Sequence, residues 1–198
     1  FPSFFMDIST DQVKVLRDKT GVSIMQCRKA LEEAGGDLEK AEVILRKKSG
    51  ASADKKADRE LGAGAIGSYV HDGSIGAMVL LSCETDFVAR NPEFPALARE
   101  IAMQVAATNP AFGRIEQIPA ETREKAREVF VKEVEGKPEE MKEKILEGKL
   151  ESYFRDQVLM EQVYIKDESK TIKGLIAEAT QKFGERIEVS NFARFSAR

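Results

Sequence analysis

Glu84, Thr85 and Asp86 set two carboxylates and a hydroxyl within three residues, and Phe87 follows directly. Oxygen donors of that kind suit a divalent cation. Two acids flanking a threonine are too common a pattern to specify one, so we expect no metal here. The aromatic beside the carboxylate suggests a different chemistry. The run Thr85-Asp86-Phe87-Val88-Ala89-Arg90-Asn91 follows a strand-like apolar segment, Ala77-Met78-Val79-Leu80-Leu81, and precedes a helix-like one. A ring and a carboxylate at the tip of a strand-to-helix turn suit insertion into another protein, because loops on a rigid scaffold commonly carry function. Apolar residues flanking a strand are also usually inside. On its neighbours alone, Phe87 therefore reads first as a residue packed on its own core.

Covalent chemistry finds little to work with. His71 is the only histidine, so no histidine cluster can hold a metal. A Ser–His or Cys–His nucleophile would have to use it, yet it stands at an expected hairpin corner with no acid partner evident from spacing. Gly62-Ala63-Gly64-Ala65-Ile66-Gly67 loosely resembles a phosphate loop, but the following helix and the Lys-Ser/Thr pair are missing. We read these as strand glycines. Cys27 and Cys83 are the only cysteines, each in an apolar context, and read as buried free thiols in a reducing compartment. The expectation is an interaction protein with no catalytic residue, no metal and no cofactor.

The elements that would position the 85–88 turn fall into two parts. Residues 7–49 read as three short helices. Ser9-Thr10-Asp11-Gln12 and Ser23-Ile24-Met25-Gln26 both have capping-box spacing, Gly21 is free to take positive φ, and Asp37 caps the third helix. Ile24, Cys27, Leu31 and Ala34 form the expected apolar face of the second helix, and Leu38, Ala41, Ile44 and Leu45 that of the third. Met25 lies off that face, beside Arg28 and Lys29, where an adaptable side chain is either a first-turn residue or a partner contact. Residues 50–62 turn small, then charged, and read as a linker; Lys55, Lys56 and Arg59 alternate with acids, as on a solvated face.

From about Ala63 the pattern changes to strands. Residues 65–71 and 75–83 flank Asp72-Gly73-Ser74, a hairpin signal. The second strand is apolar on both faces, which predicts a central position covered by helices. Asn91 at N-cap and Pro92 at N1 open a helix to about Thr108, with Leu97, Ile101 and Val105 inside. Residues 119–160 read as helices interrupted at Gly136-Lys137-Pro138 and at Gly148, with Val129, Val134, Met141, Ile145, Leu150, Phe154 and Val158 on their apolar sides. A short strand at Tyr164-Ile165-Lys166, a helix from about Thr171 to Phe183 and a strand from Ile187 to Phe195 complete an α+β core with an antiparallel sheet packed against helices.

The chain has 198 residues, 31 basic and 34 acidic, for a net charge of −3. That balance is no electrostatic footprint for nucleic acid or an anionic membrane, and no apolar run approaches the ~18 residues of a membrane span. Phe1-Pro2-Ser3-Phe4-Phe5 lacks the basic region and length of a signal peptide; residues 1–6 read as a disordered leader or leftover.

Two segments carry a family resemblance. Thr20-Gly21-Val22-Ser23-Ile24-Met25-Gln26-Cys27-Arg28-Lys29-Ala30-Leu31 resembles the first signature of the bacterial elongation factor Ts family, and Cys83-Glu84-Thr85-Asp86-Phe87-Val88-Ala89-Arg90-Asn91 its second. The 53–60 segment, Tyr69-Val70-His71 and Leu159-Met160-Glu161-Gln162 are similar as well, so the resemblance runs from about Asp7 to Phe195. Val22-Ser23 and Val163 depart from the family's usual residues. The resemblance implies a compact member: a ubiquitin-associated-like helical module (7–49), a linker (50–62), and an α+β core (63–198) that grips the GTPase elongation factor Tu and forms a homodimer. It implies a cytoplasmic guanine-nucleotide exchange factor in translation elongation, binding its partner in GDP-bound and nucleotide-free states. Thr85, Asp86, Phe87 and Val88 would enter the partner near its Mg²⁺ and nucleotide, and Arg17, Ile24 and Met25 would clamp its GTPase domain. That role turns Phe87 outward. The rival readings are a ubiquitin-family binding adaptor without exchange activity, an enzyme using Asp86 with His71, and an RNA binder using Lys47, Lys48, Lys55, Lys56 and Arg59.

Overall fold

The structure, a computed structural model, describes residues 8–136 and 138–197. The expected leader and Lys137 lie outside them. The described chain forms two compact units. The first unites the N-terminal helices, the turn at 82–91 and residues 174–188; the second holds 65–81, 92–173 and the stretch after 188.

In the first unit, α1 (Thr10–Thr20), α2 (Ile24–Glu33) and α3 (Leu38–Lys55) begin and end where local chemistry dictates. Ser9 accepts from the Gln12 amide while the Gln12 side chain reaches back to the Ser9 amide, a complete capping box. Gly21 takes φ 68° and returns its amide to the Arg17 carbonyl at 2.7 Å. Ser23 and Asp37 accept from the Gln26 and Lys40 amides. The core of this bundle is Val13, Leu16, Val22, Cys27, Ala30, Leu31, Ala41 and Leu45.

Ile24 departs from the expected inner face, being 56% exposed. Helical spacing gives direction but not depth: Val22, buried just before the helix, already closes that end of the core. α3 also runs six residues beyond position 49, through the first part of the expected linker. Ala51 and Ala53 favour the helix there, and no proline stops it. The Ser49 hydroxyl is spent on the Leu45 carbonyl at 2.9 Å. Within the same unit, Arg46 lies 3.7 Å from Glu178 and the Ser49 hydroxyl also meets the Gln181 side-chain amide, tying α3 to α8 (Ile172–Phe183).

The sheet is antiparallel with order β1-β2-β5, from β1 (Ala63–His71), β2 (Ile75–Cys83) and β5 (Glu188–Ser196). Asp72 and Gly73 both take positive φ at the hairpin turn, and the Ser74 amide bonds the His71 carbonyl. β2 is central, as its composition predicts, but only one face is covered. Ala77, Val79 and Leu81 are buried, whereas Met78 and Leu80 are exposed. The covering element is α5 (Glu93–Thr108), which opens one residue later than expected, with Pro92 at N-cap. Its approach depends on Gly67: a Cβ there would stand 2.1 Å from the Ala98 carbonyl carbon.

A buried amide network fixes the other side of α5. Gln104 is fully buried; its amide nitrogen donates to Gln162 Oε1 and the Val163 carbonyl, each at 3.1 Å, and its oxygen accepts from the Ile165 amide at 2.9 Å. These bonds seat β3 (Val163–Tyr164), whose hairpin partner β4 (Asp167–Thr171) the sequence pattern does not reveal. α6 (Ala120–Glu133) and α7 (Glu139–Arg155) pair through Phe130, Tyr153 and Arg127–Glu143 contacts. Val129 and Met141, expected inside, are exposed. Gly148 does not break α7; a mid-helix glycine costs only about 1 kcal/mol relative to alanine, and strong helix formers surround it. The packed end of this helical hairpin is Ile118, Phe154 and Val158.

Replacing Gly67 with alanine drives a methyl into backbone that no rotamer change relieves. We expect Gly67→Ala to lose about 1–3 kcal/mol or more of stability, read as a lowered denaturation midpoint.

Candidate functional site

Thr85-Asp86-Phe87-Val88 leaves β2 and forms the start of α4 (Asp86–Ala89), a single turn with Thr85 at N-cap in extended backbone, φ −130°. The amides of Ala89, Arg90 and Asn91 close it onto the carbonyls of Thr85, Asp86 and Val88. Adjacent residues on this turn have opposite fates: Val88 is 3% exposed and Phe87 is 85% exposed. Val88 packs inward and anchors the turn from beneath. Phe87 stands in solvent with Asp86 beside it, and the 4.0 Å approach of Arg90 to Asp86 is an exposed pair of little energetic weight.

Polar groups hold the turn from below. The Glu84 carboxylate accepts from the Arg186 amide at 2.5 Å and from the Arg59 guanidinium at 3.3 Å. Arg186 donates in turn to the Arg59 carbonyl at 2.6 Å and pairs with Glu188. The Arg186 amide holds the Glu84 carboxyl below the usual glutamate range; slight burial opposes this, and Arg59 and Lys56 reinforce it. Glu185 accepts from the amides of Glu84 and Thr85 and from the Thr85 hydroxyl. Cys83 is buried, its thiol donating to the Thr85 carbonyl at 3.3 Å. Burial first, then the Glu185 charge, push that thiol up, away from the reactive thiolate.

Arg17, Ile24 and Met25 lie on α1 and α2 of the same compact unit, all exposed, with Met25 at 71%. Arg59, Glu185 and Arg186 are the residues that sequence reasoning missed. Arg59 reads as part of a solvated charge run, and nothing in the spacing links Glu185 to a threonine 100 positions earlier. The only local signal is Gly184, a helix stop at φ 75° directly before them.

His71 has more company than its spacing suggests: its Nδ1 lies 3.0 Å from the Tyr69 hydroxyl and its Nε2 lies 3.6 Å from the Asp72 carboxylate. Both the ring and the carboxylate are exposed at the hairpin turn. Among the described residues, no group of three or more His, Cys, Asp or Glu side chains is arranged to hold a metal ion, and no helix is long and apolar enough to cross a membrane.

Comparison with known proteins agrees with the signatures. The family model for elongation factor TS matches residues 52–198. The chain is 52% identical to elongation factor Ts of Thermotoga petrophila over 191 residues, 96% of each chain. It is 52% identical to that of Thermodesulfovibrio yellowstonii, again over 96% of each. Against the Coprothermobacter proteolyticus protein it is 47% identical, covering 96% of this chain and 98% of the other. With the match spanning both signature segments and nearly the full length, this chain belongs to the elongation factor Ts family.

Proposed function

We propose that the chain is a guanine-nucleotide exchange factor for elongation factor Tu, acting in the cytoplasm during translation elongation and without covalent chemistry. The observation that carries this reading is the exposure of Phe87 on a turn anchored by Val88 and two carboxylates. A translational GTPase holds GDP through phosphate-loop amides and Mg²⁺. An exchange factor need not touch the nucleotide; it must bind the nucleotide-free conformation more tightly. Linkage makes this reciprocal, so whatever the factor does to GDP affinity, GDP does to affinity for the factor.

In this reading Phe87 wedges between elements of the GTPase domain, and Asp86 disturbs the water or side-chain shell around its Mg²⁺. Thr85 belongs to the inserted turn and Val88 supports it from inside. Helices α1–α3 act as a docking module, with Arg17, Ile24 and Met25 as the clamp. A helical module offering Met25 and Ile24 to solvent supports that role, since methionine adapts to a partner at small cost when free. Burying one phenylalanine is worth about 1.5–3 kcal/mol, and ~1.4 kcal/mol is tenfold in an equilibrium.

The bare sheet face supports a homodimer. Ile66 and Val70 on β1 and Met78 and Leu80 on β2 are exposed on the side away from α5. On β5, Arg194 turns inward to donate to the Ala106 carbonyl of α5, so its neighbour Phe195, 70% exposed, faces out with them. None of these five is charged. A second copy presenting the same face would bury it as one sheet on another, the usual packing of two apolar sheet surfaces.

Phe87→Ala is expected to leave the fold intact and to slow GDP release by about ten- to a hundredfold in a stopped-flow assay with labelled GDP; an unchanged rate would rule out the wedge. In sedimentation at micromolar concentration we expect a dimer for the wild type and a folded monomer for Leu80→Asp. A wild-type monomer would refute the dimer.

A further inference from the structure

We infer that Glu185 is a positioning residue for the Asp86–Phe87 turn, and that it works through a reciprocal clasp with Glu84. The inference rests on the proposed role of that turn. Two short segments, 84–85 and 185–186, exchange side-chain-to-backbone hydrogen bonds. Glu185 Oε2 accepts from the Glu84 amide at 3.1 Å and the Thr85 amide at 3.0 Å, and Oε1 accepts from the Thr85 hydroxyl. In the other direction, the Glu84 carboxylate accepts from the Arg186 amide at 2.5 Å.

Each part of this arrangement has a local cause. Glu84 and Thr85 leave the end of β2, where strand pairing stops, so their amides need another acceptor. A carboxylate is the strongest one available to adjacent amides. Thr85 is the N-cap of α4, yet its hydroxyl caps nothing on its own helix; it points to Glu185 instead. Gly184, left-handed at φ 75° with its amide on the Thr180 carbonyl at 3.0 Å, ends α8 and turns the chain so that Glu185 faces the turn. Arg186 then locks the return by donating to the Arg59 carbonyl.

The clasp fixes the direction in which α4 leaves the sheet. Phe87 makes no use of its own burial to hold that direction, so without Glu185 the ring would sample many orientations before docking. Ordering it would then draw on binding free energy that otherwise favours the nucleotide-free partner. Glu185 therefore presets the ring from beneath the inserted turn.

The test uses the full chain with labelled-GDP release from elongation factor Tu, and residue-resolved amide exchange on the free protein. Glu185→Ala is expected to slow release about tenfold, the loss typical of one charge-assisted hydrogen bond, and to unprotect the Glu84 and Thr85 amides while α1–α3 stay protected. Glu185→Gln, which keeps an acceptor oxygen, is expected to restore part of both; it carries the test alone if the alanine variant does not fold. The double variant Phe87→Ala with Glu185→Ala should be no slower than Phe87→Ala. Full additivity of the two losses would overturn the positioning role. So would normal release by Glu185→Ala when Phe87→Ala is slow. If release is normal with Phe87→Ala, the wedge fails instead; amide protection then judges the clasp, which is overturned if the Glu84 and Thr85 amides stay protected without Glu185.

Discussion

A phenylalanine ring held in water contributes nothing to its own placement. Most large apolar side chains are fixed by the core they fill, so their position and their stability have one cause. Phe87 separates the two. Its backbone must be held by its neighbours, and the structure supplies two kinds of support. Val88 plugs the turn into apolar packing, one residue along. Glu84 and Glu185 satisfy the amides on which the turn rests. The first gives depth and the second gives direction. Neither would serve alone, because a buried valine leaves the turn free to rotate about it, and exposed hydrogen bonds without a plug compete with water.

The same division between apolar filling and polar direction recurs under α5. Gly67 lets the helix approach the sheet closely, and Val79, Leu81, Ile101 and Val105 fill the space between them. Gln104 then specifies what can lie on the helix's other side, because its fully buried amide is satisfied by Gln162, Val163 and Ile165. A buried amide with all partners present is costly to displace. The sheet's opposite face exposes Ile66, Val70, Met78, Leu80 and Phe195, with Ser68 between the first two.

Local chemistry made much of this legible in the sequence. Ser9, Gly21, Ser23, Asp37 and Asp72-Gly73 act within three or four residues of themselves, so the ends of α1–α3 and the first hairpin could be read directly. Quantities that depend on depth or distance could not. The period that puts Ile24 in line with Leu31 does not say that Val22 already closes the bundle. The unbroken apolar run of β2 identifies a central strand, but two apolar faces look alike whether covered by a helix or bare. Gly148 looks like punctuation, but the helix formers on either side carry α7 through it. The Glu185 clasp was invisible for a further reason. Carboxylates are abundant in this chain, and the one that matters is selected by a contact across 100 residues.

That separation bears on the order in which the molecule can be made. The first compact unit draws on three stretches: the N-terminal helices, the turn at 82–91, and residues 174–188. Bringing distant stretches together is entropically costly and late compared with closing a local hairpin. During synthesis the helices and β1–β2 emerge early, but the turn between β2 and α5 lacks its carboxylate anchor until α8 and the residues after it have followed. A nascent polypeptide still short of Gly184 therefore displays Phe87 on an unfastened loop, and the ring acquires its bearing only when that later stretch has left the ribosome.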